Sequence, residues 1–233
     1  MRVLVMIPAY NEEGNIERVV NNLITNFPQF DYVVINDGSM DKTKEICWKN
    51  HFNLIDQPVN LGLSGTFQTG LKYARKHGYD AAIQFDGDGQ HRAEYIQMMA
   101  DKIQEGNNIV IGSRFVSEPK PKSLRMVGSN LIAFLIRMID KVTIHDPTSG
   151  MRMFDKKTIS FLADGFNLGP EPDTVAYLIH NGAKVTEVQV KMDERIAGTS
   201  YLTLSRSVQY MATMCVSILL SRFFRKNIEW DEV

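Results

Sequence analysis

Residues 80–90 read Asp-Ala-Ala-Ile-Gln-Phe-Asp-Gly-Asp-Gly-Gln, an apolar run that ends in two carboxylates separated by a glycine. The run 81–85 is typical of a buried strand, and Asp86 and Asp88 follow where that strand ends. Such a pair can hold Mg²⁺, which proteins usually bind through one or two carboxylates and the phosphates of a substrate. Asp-Gly is also common turn chemistry, so this stretch alone fits a simple turn equally well.

Strand-like and helix-like segments alternate on both sides of this stretch. Short apolar runs predict strands at residues 3–7, 32–35, 52–55, 81–85 and 108–111. Apolar residues at helical spacing predict helices at residues 16–24, 41–49, 63–74 and 95–103. This alternation predicts an α/β fold with a mostly parallel central sheet and helices on both faces.

Polar and acidic residues are concentrated where the predicted strands end. Ligands of parallel α/β sheets bind outside the carboxyl ends of the strands. The segments expected at that edge are residues 8–12, 36–39, 86–90 and 112–114. The predicted fold therefore gathers the acidic motif and three other polar segments into one candidate site.

The second half of the chain is less regular and contains two long apolar segments. We expect a proline-punctuated connection at 117–122, helices at 124–139, near Lys156 and at 174–180, and a strand at 185–192. No stretch has the roughly 18 uninterrupted apolar residues of a membrane span. The nearest, residues 208–224, includes polar residues and a basic end, which favours an interfacial or partner-facing helix. A terminal helix docked on the domain explains the same pattern.

The composition is that of an ordinary globular protein. The chain has 233 residues, of which 44% are hydrophobic and 23% charged, and its net charge is −1. These values allow one large α/β domain and give no sign of a nucleic-acid partner. Cys47 and Cys215 lack metal-type spacing and favour a reducing compartment, and the N-terminus lacks the pattern of a signal peptide. We expect one domain over residues 1–200 and an amphipathic helical extension over 201–233.

Several motifs together resemble the family 2 glycosyltransferases of the GT-A fold. The motifs are Ile7-Pro-Ala-Tyr-Asn-Glu12, Val34-Ile-Asn-Asp-Gly-Ser39, Asn60-Leu-Gly62, Asp86-Gly-Asp-Gly-Gln90 and Gly112-Ser-Arg-Phe115. The later motifs at 146–152 and 194–200 resemble the polyprenyl-phosphate sugar synthases, the branch that includes dolichyl-phosphate mannose synthases. The resemblance covers about residues 1–200. Asn36 stands where the family more often has an aspartate, and Ala197 where a glycine is common.

The resemblance implies a nucleotide-diphosphate sugar as donor and Mg²⁺ or Mn²⁺ as cofactor. The metal would neutralise the departing diphosphate. Asp88 is the first expected ligand, with Asp86 beside it and Gln90 in support, and Asp86 could instead orient the sugar or nucleotide. The residues expected to bind the nucleotide are Pro8, Tyr10, Glu12, Asp37, Gly62 and Asp86.

The acceptor implied by the resemblance is a lipid phosphate, which needs cations rather than a general base. Its second pKa is near that of phosphoserine, about 6, so at pH 7 it is already largely anionic. A guanidinium group binds phosphate through two parallel hydrogen bonds. Arg114, Arg125 and Arg195 are therefore the candidates. For a single arginine, however, the default interpretation is a solvated surface charge. Ser129 lies four residues after Arg125, on the same face of a helix, and both match the family's acceptor-phosphate motif.

Two further carboxylates could act on the acceptor. Asp146 could position it or serve as a base, and Glu171 could be a base or simply begin a helix between two prolines. The residues expected to act directly in the reaction are Asp88, Asp146 and Arg114.

These observations predict an inverting glycosyltransferase that moves a sugar from a UDP-sugar to polyprenyl (undecaprenyl) phosphate. UDP-N-acetylglucosamine or UDP-glucose is the donor expected from the family. The protein is expected at the cytoplasmic membrane face, with its apolar helices on the bilayer, on a small membrane-protein partner or on a second copy of the chain.

Three other functions are compatible with parts of the pattern. Transfer to a saccharide hydroxyl would require Asp146 or Glu171 as base. A non-catalytic nucleotide-sugar-binding subunit would not need the intact set of Asp86, Asp88 and Arg114. A nucleotidyltransferase would need a glycine-rich phosphate loop, which residues 8–14 do not supply.

Overall fold

A central β-sheet organises the protein in this computed structural model, which describes residues 1–165, 168–194 and 204–224. Its strands are β1 (Val3–Ala9), β2 (Asp31–Asn36), β3 (Leu54–Asp56), β4 (Ala81–Gln84), β5 (Ile109–Ser113), β6 (Arg152–Asp155) and β7 (Val185–Gln189). Their spatial order is β3-β2-β1-β4-β6-β5-β7. Neighbouring strands are parallel, except that β6 is antiparallel to both β4 and β5.

Helices cover both faces of the sheet. They are α1 (Ile16–Asn26), α2 (Thr43–Lys49), α3 (Gly62–Lys76), α4 (Ile96–Gln104), α5 (Leu124–Asp140), α6 (Lys156–Asp164), α7 (Pro172–His180) and α8 (Leu204–Phe224). Buried side chains of α1, α2 and α4 pack on one face, and those of α3 and α5 to α8 pack on the other. The predicted α/β architecture is therefore confirmed, and most predicted element ends differ from the observed ones by one to three residues.

Strand β6 is the element that the sequence pattern did not predict. It has only four residues, Arg-Met-Phe-Asp, of which the first and last are charged. The two apolar residues between them are too few to show the alternation or the apolar run that indicates a strand. The sheet itself stabilises the strand, because β6 pairs with β4 on one side and β5 on the other. Since β6 runs antiparallel, its first residue, Arg152, lies at the edge where the parallel strands end.

Helix α8 docks on the domain. Met211, Met214 and Ile218 of this helix are buried in the same core cluster as α5 and α7. Two polar contacts join α8 to the start of α7: the Tyr210 hydroxyl donates to Glu171, and the Ser217 hydroxyl donates to Asp173 at 2.5 Å. The domain boundary expected at residue 200 lies outside the described residues. None of the helices in the described ranges combines the length and hydrophobicity needed to cross a bilayer.

Candidate functional site

The acidic motif packs directly against the end of β1. The backbone N–H of Gly87 donates to the Pro8 carbonyl at 3.3 Å. A Cβ at residue 87 would lie 3.0 Å from that carbonyl oxygen, so a larger side chain would separate the motif from β1. The strand order thus brings residues 86–90 beside residues 8–12, as the sequence predicted.

Local hydrogen bonds hold the two carboxylates of the motif. Asp88 is buried and its Oδ1 accepts from the Gln90 backbone N–H at 3.0 Å, a turn that Gly89 allows with its positive φ of 79°. Asp86 is about a third exposed, with a side-chain accessibility of 34%. Its Oδ1 accepts from Gln84 Nε2 at 3.1 Å, and its backbone N–H donates to His91 Nδ1 at 2.9 Å.

This donor set fits a divalent cation shared with a phosphate ligand. Within the described ranges, the structure has no group of three or more His, Cys, Asp or Glu side chains that could enclose a metal. Mg²⁺ commonly binds through one or two carboxylates and completes its coordination with water and substrate phosphates. Asp86 and Asp88 supply that number of carboxylates, with Gln90 adjacent, so the residues present suit Mg²⁺ or Mn²⁺ on a diphosphate.

The residues predicted to bind the nucleotide lie together at the ends of β1 and β2. Asp37 is buried, its backbone N–H donates to the Ala9 carbonyl, and its Oδ1 accepts from the Leu61 backbone N–H at 2.7 Å. These bonds join β2 to the loop that precedes Gly62 and α3. Pro8, Tyr10 and Glu12 are partly exposed along the same edge. The structure thus places these residues at one edge of the sheet, and their role in nucleotide binding stays a prediction.

Asn36 has a structural reason to differ from the family's usual aspartate. Its side-chain amide donates to Asp56 Oδ1 at 2.7 Å, and Asp56 also pairs with Lys44 at 2.5 Å. Burial opposes ionisation of Asp56, but the bonds from Lys44 and Asn36 prevail and lower its pKa. An aspartate at position 36 would place a second negative charge against the Asp56 carboxylate. The Asn36 amide instead donates a hydrogen bond to it.

On the other side of the site, Asp146 holds Arg114 through a bidentate ion pair. Arg114 Nε lies 2.7 Å from Asp146 Oδ2, and Arg114 Nη2 lies 2.9 Å from Asp146 Oδ1. Asp146 is fully buried, whereas the Arg114 side chain retains 29% of its exposure. The Glu187 carboxylate fixes the loop by accepting from the backbone N–H groups of Asp146 and His145. The guanidinium is therefore held in a fixed orientation while part of the Arg114 side chain stays exposed.

The other predicted acceptor residues are only partly described. Ser129 is buried on α5, and its hydroxyl lies 3.4 Å from the Thr148 hydroxyl, which also donates to Asp146. The backbone of Arg125 is in α5, but its side chain lies outside the described part of the structure, and so does all of Arg195. The structure thus brings Ser129 and Arg114 to one loop, residues 146–150.

Three residues that the sequence analysis did not place in the site also belong to this region, among them Lys120, which was expected to face anionic lipid headgroups. Arg152 is buried and donates to the Pro170 carbonyl at 2.6 Å and the Pro147 carbonyl at 2.7 Å. Lys120 lies close enough to Asp146, Glu187 and Arg114 for their charges to act on it, and burial lowers its pKa. Arg92 binds Asp193 through Nε at 2.8 Å, and the Asp193 backbone donates to the Gln90 carbonyl.

A sequence signal existed for only one of these residues. Arg152 is the last residue of the 146–152 motif, and its burial could not be read from that position. Lys120 and Arg92 carry no local signal, because their partners are distant along the chain.

Glu171 is engaged by its neighbours rather than free at the site. It is the residue immediately before α7, with Pro172 at the first helical position, as expected for a helix start. Burial and the adjacent Glu171 raise the pKa of the Tyr210 hydroxyl well above its ordinary value, so this hydroxyl stays protonated and donates to Glu171. This contact favours a structural role for Glu171, and its role as a base stays an untested prediction.

Comparisons with known proteins agree with this architecture. The sequence profile described as glycosyl transferase family 2 matches residues 4–161. Polyprenol monophosphomannose synthase from Mycolicibacterium smegmatis is 27% identical over 87% of this chain and 81% of its own length. UDP-N-acetylglucosamine–dolichyl-phosphate N-acetylglucosaminyltransferase from Methanococcus voltae is 31% identical over 70% of this chain and 72% of its own length.

A solved structure shares the fold. Glucosyl-3-phosphoglycerate synthase from Mycobacterium tuberculosis, crystallised with Mn²⁺, UDP-glucose and phosphoglyceric acid, superposes with a TM-score of 0.71. The alignment covers 95% of this chain and 79% of that one, at 16% identity.

Proposed function

This chain belongs to glycosyl transferase family 2, and from that premise we propose that it transfers a sugar from a nucleotide-diphosphate sugar to a polyprenyl phosphate. One observation carries the proposal. The loop 146–150 carries Asp146, which orients Arg114, and its Gly150 lies against the acidic motif: a Cβ at residue 150 would be 3.1 Å from Asp86 Oδ2. One loop therefore orients the guanidinium proposed for the acceptor phosphate and also contacts Asp86, a carboxylate proposed to hold the metal ion on the donor diphosphate.

Each side of the site has a distinct task in this reaction. Pro8, Tyr10, Glu12, Asp37 and Gly62 bind the nucleoside, and Asp88, Asp86 and Gln90 hold the cation. When bound, Mg²⁺ or Mn²⁺ neutralises the charge that develops on the departing nucleotide diphosphate. Arg114 positions the acceptor phosphate, and Lys120 lies near Arg114. We propose that Arg125, Ser129 and Arg195 contact the same phosphate.

Bond formation needs no protein base in this proposal. A phosphate oxygen of the acceptor attacks the anomeric carbon from the side opposite the diphosphate, and the bond from that carbon to the diphosphate oxygen breaks. The electron pair leaves with the nucleotide diphosphate, and the anomeric configuration inverts. The nucleophile is already anionic at pH 7, so its deprotonation is not part of the step. This agrees with the buried Asp146, whose two oxygens are both occupied by Arg114.

We propose UDP-N-acetylglucosamine or UDP-glucose as the donor. The Methanococcus voltae relative, at 31% identity, is named for UDP-N-acetylglucosamine and a dolichyl phosphate, whereas the Mycolicibacterium smegmatis relative is named for mannose. The deciding experiment incubates purified protein, Mg²⁺ or Mn²⁺ and undecaprenyl phosphate with a panel of labelled UDP- and GDP-sugars. Label in the lipid fraction from one donor identifies the sugar, and no label from any donor contradicts the proposal.

We also propose that the protein acts while docked on the cytoplasmic face of a membrane. Apolar side chains of α5 are exposed at helical spacing, and α8, which packs against α5, exposes others. These residues, here called the apolar stripe, are Val127, Leu131, Phe134, Met138, Val216, Leu219 and Leu220. Monomeric proteins seldom expose large contiguous apolar patches unless these serve binding. The polyprenyl acceptor is itself held in a bilayer, which makes a membrane the natural occupant.

Charged substitutions in the apolar stripe should weaken membrane binding. In the double variant Leu131→Glu/Phe134→Glu, we expect partitioning onto vesicles of anionic phospholipid to fall at least roughly tenfold, since burying one large apolar side chain is worth about 1.5–3 kcal/mol. Co-sedimentation with vesicles measures this. Ile24→Glu, which alters an exposed apolar residue on α1, is the matched control and should bind normally. Unchanged binding of the double variant would contradict the proposal, and conversion of a wild-type dimer to a monomer would assign the stripe to a second copy.

A further inference from the structure

Gln84 and Arg152 are buried neighbours in the middle of the sheet. They are register partners in the antiparallel pair β4–β6, and their relative exposures are only 3% and 1%. Side chains of opposite residues in an antiparallel pair lie on the same face of the sheet, with Cβ atoms about 4.5–5.5 Å apart. A buried amide and a buried guanidinium therefore lie side by side beneath the edge that forms the site.

The two side chains reach opposite halves of the site. Gln84 Nε2 donates to Asp86 Oδ1 at 3.1 Å, in the acidic motif. Arg152 Nη2 donates at 2.7 Å to the carbonyl of Pro147, the residue after Asp146, and its Nη1 donates to the Pro170 carbonyl at 2.6 Å. Two neighbouring residues of the β4–β6 pair thus contact the two halves of the site: Gln84 contacts the carboxylate proposed for the cation, and Arg152 contacts the loop that orients Arg114.

Each side chain of this pair has a buried polar atom without a hydrogen-bond partner, which argues against a purely stabilising role. Among the described residues, Gln84 Oε1 and Arg152 Nε have no hydrogen-bond partner although both atoms are buried. A buried polar atom without a partner costs folding free energy, and apolar side chains of similar shape avoid that cost. Natural proteins retain such departures mainly at functional sites.

We propose that Gln84 and Arg152 are positioning residues for the two substrates, an inference that rests on the proposed function. The amide of Gln84 binds Asp86 Oδ1 and thereby fixes the orientation of the carboxylate that would hold the cation, with Oδ2 lying nearest Gly150. The guanidinium of Arg152 holds the 146–150 loop at a fixed distance from that oxygen. Together they fix the acidic motif, which is proposed to bind the donor, relative to the 146–150 loop, which is proposed to position the acceptor.

The role of Gln84 can be measured by Mn²⁺ binding without any sugar transfer. Gln84→Met removes the amide at nearly constant volume, and we expect the Kd for Mn²⁺ in the presence of UDP to rise roughly tenfold, as is usual when a hydrogen bond to a metal ligand is lost. The thermal midpoint should stay equal to that of the wild type or rise. Electron paramagnetic resonance of free Mn²⁺ gives the Kd, and calorimetry gives the midpoint.

Gln57→Met is a matched control for this experiment. Gln57 is also buried, its Nε2 donates to the Thr69 hydroxyl, and its Oε1 lacks a partner among the described residues. The control should change stability in the same direction and leave Mn²⁺ affinity unaltered. Equal Mn²⁺ affinity of Gln84→Met and wild type would overturn the proposal for Gln84. If Gln84→Met does not fold, Gln84→Asn withdraws the amide by one methylene and carries the same expectation.

The role of Arg152 has a separate kinetic signature. Arg152→Lys keeps the charge but cannot donate to two carbonyls through a planar fork. We expect the KM for polyprenyl phosphate to rise roughly tenfold, because the loop that orients Arg114 loses its anchor, while the Mn²⁺ Kd stays near the wild-type value. An unchanged acceptor KM would overturn this part. Wild-type protein that binds no Mn²⁺ with UDP would instead contradict the proposed metal-dependent function itself.

Discussion

Asp88→Asn should reduce the rate of sugar transfer by roughly a thousandfold, equivalent to about 4 kcal/mol of transition-state stabilisation. The substitution removes one negative charge where the cation is proposed to bind. It keeps an oxygen that can accept from the Gln90 backbone N–H, so the turn should survive. The measurement is kcat/KM for the donor at saturating acceptor, with circular dichroism and thermal unfolding to show that the fold is retained.

Asp101→Asn is the matched control for this result. Asp101 is an exposed residue of α4 whose carboxylate accepts from Gln97 in its own helix, and its substitution should leave transfer unchanged. A folded Asp88→Asn variant with more than a tenth of wild-type activity would contradict a metal role for this carboxylate. Binding of the cation would then have to depend on Asp86 and the donor phosphates.

Asp146→Asn should damage both stability and acceptor binding. It would remove the charge of the fully buried Asp146 carboxylate, which now binds the partly exposed Arg114 guanidinium at 2.7 and 2.9 Å. Breaking a fully buried pair costs about 3–5 kcal/mol of stability, and we expect a smaller loss here because the remaining charge, on Arg114, is partly exposed to solvent. We expect the KM for polyprenyl phosphate to rise by roughly a hundredfold, because a guanidinium that is no longer held cannot present a fixed fork to phosphate.

The companion variant Arg114→Lys separates positioning from base catalysis. It keeps the charge and Asp146 but loses the bidentate fork, and we expect the same rise in acceptor KM with a smaller loss of stability. The double variant should be little worse than either single one, since both remove one shared interaction. If Asp146 were a base, Asp146→Asn would instead lower kcat at unchanged KM, and Arg114→Lys would leave the acid limb of the pH profile in place.

Local sequence patterns were sufficient to predict the first half of the fold. Strands β1, β2, β4 and β5 contain short apolar runs, and each is followed by polar residues of the kind expected at the ligand-binding edge of a parallel sheet. This pattern predicts that Asp37, Asp86 and Asp88 lie at one edge of the sheet, as the structure shows. Their meeting at one edge follows from the parallel direction of the strands, which the alternation of strands and helices predicts.

What could not be predicted depends on contacts between distant residues. The pairing of Arg114 with Asp146 spans 32 residues, and nothing in either local segment indicates that a phosphate-binding arginine will be held by a buried carboxylate. Strand β6 exists because β4 and β5 provide partners on both sides. Arg152 belongs to the 146–152 motif, but its burial beneath the site depends on the antiparallel pairing of β6 with β4 and β5.

The central claim is that the acceptor is a lipid phosphate, and one comparison of acceptors tests it most directly. Purified protein with Mn²⁺ and its labelled donor would be given either undecaprenyl phosphate or undecaprenol, the same lipid with a hydroxyl in place of the phosphate. The account predicts a labelled lipid from the phosphate and none above background from the alcohol, with the phosphate product lost in Arg114→Lys at low acceptor concentration. Equal labelling of the alcohol, or labelling of a saccharide hydroxyl in place of both lipids, would contradict it.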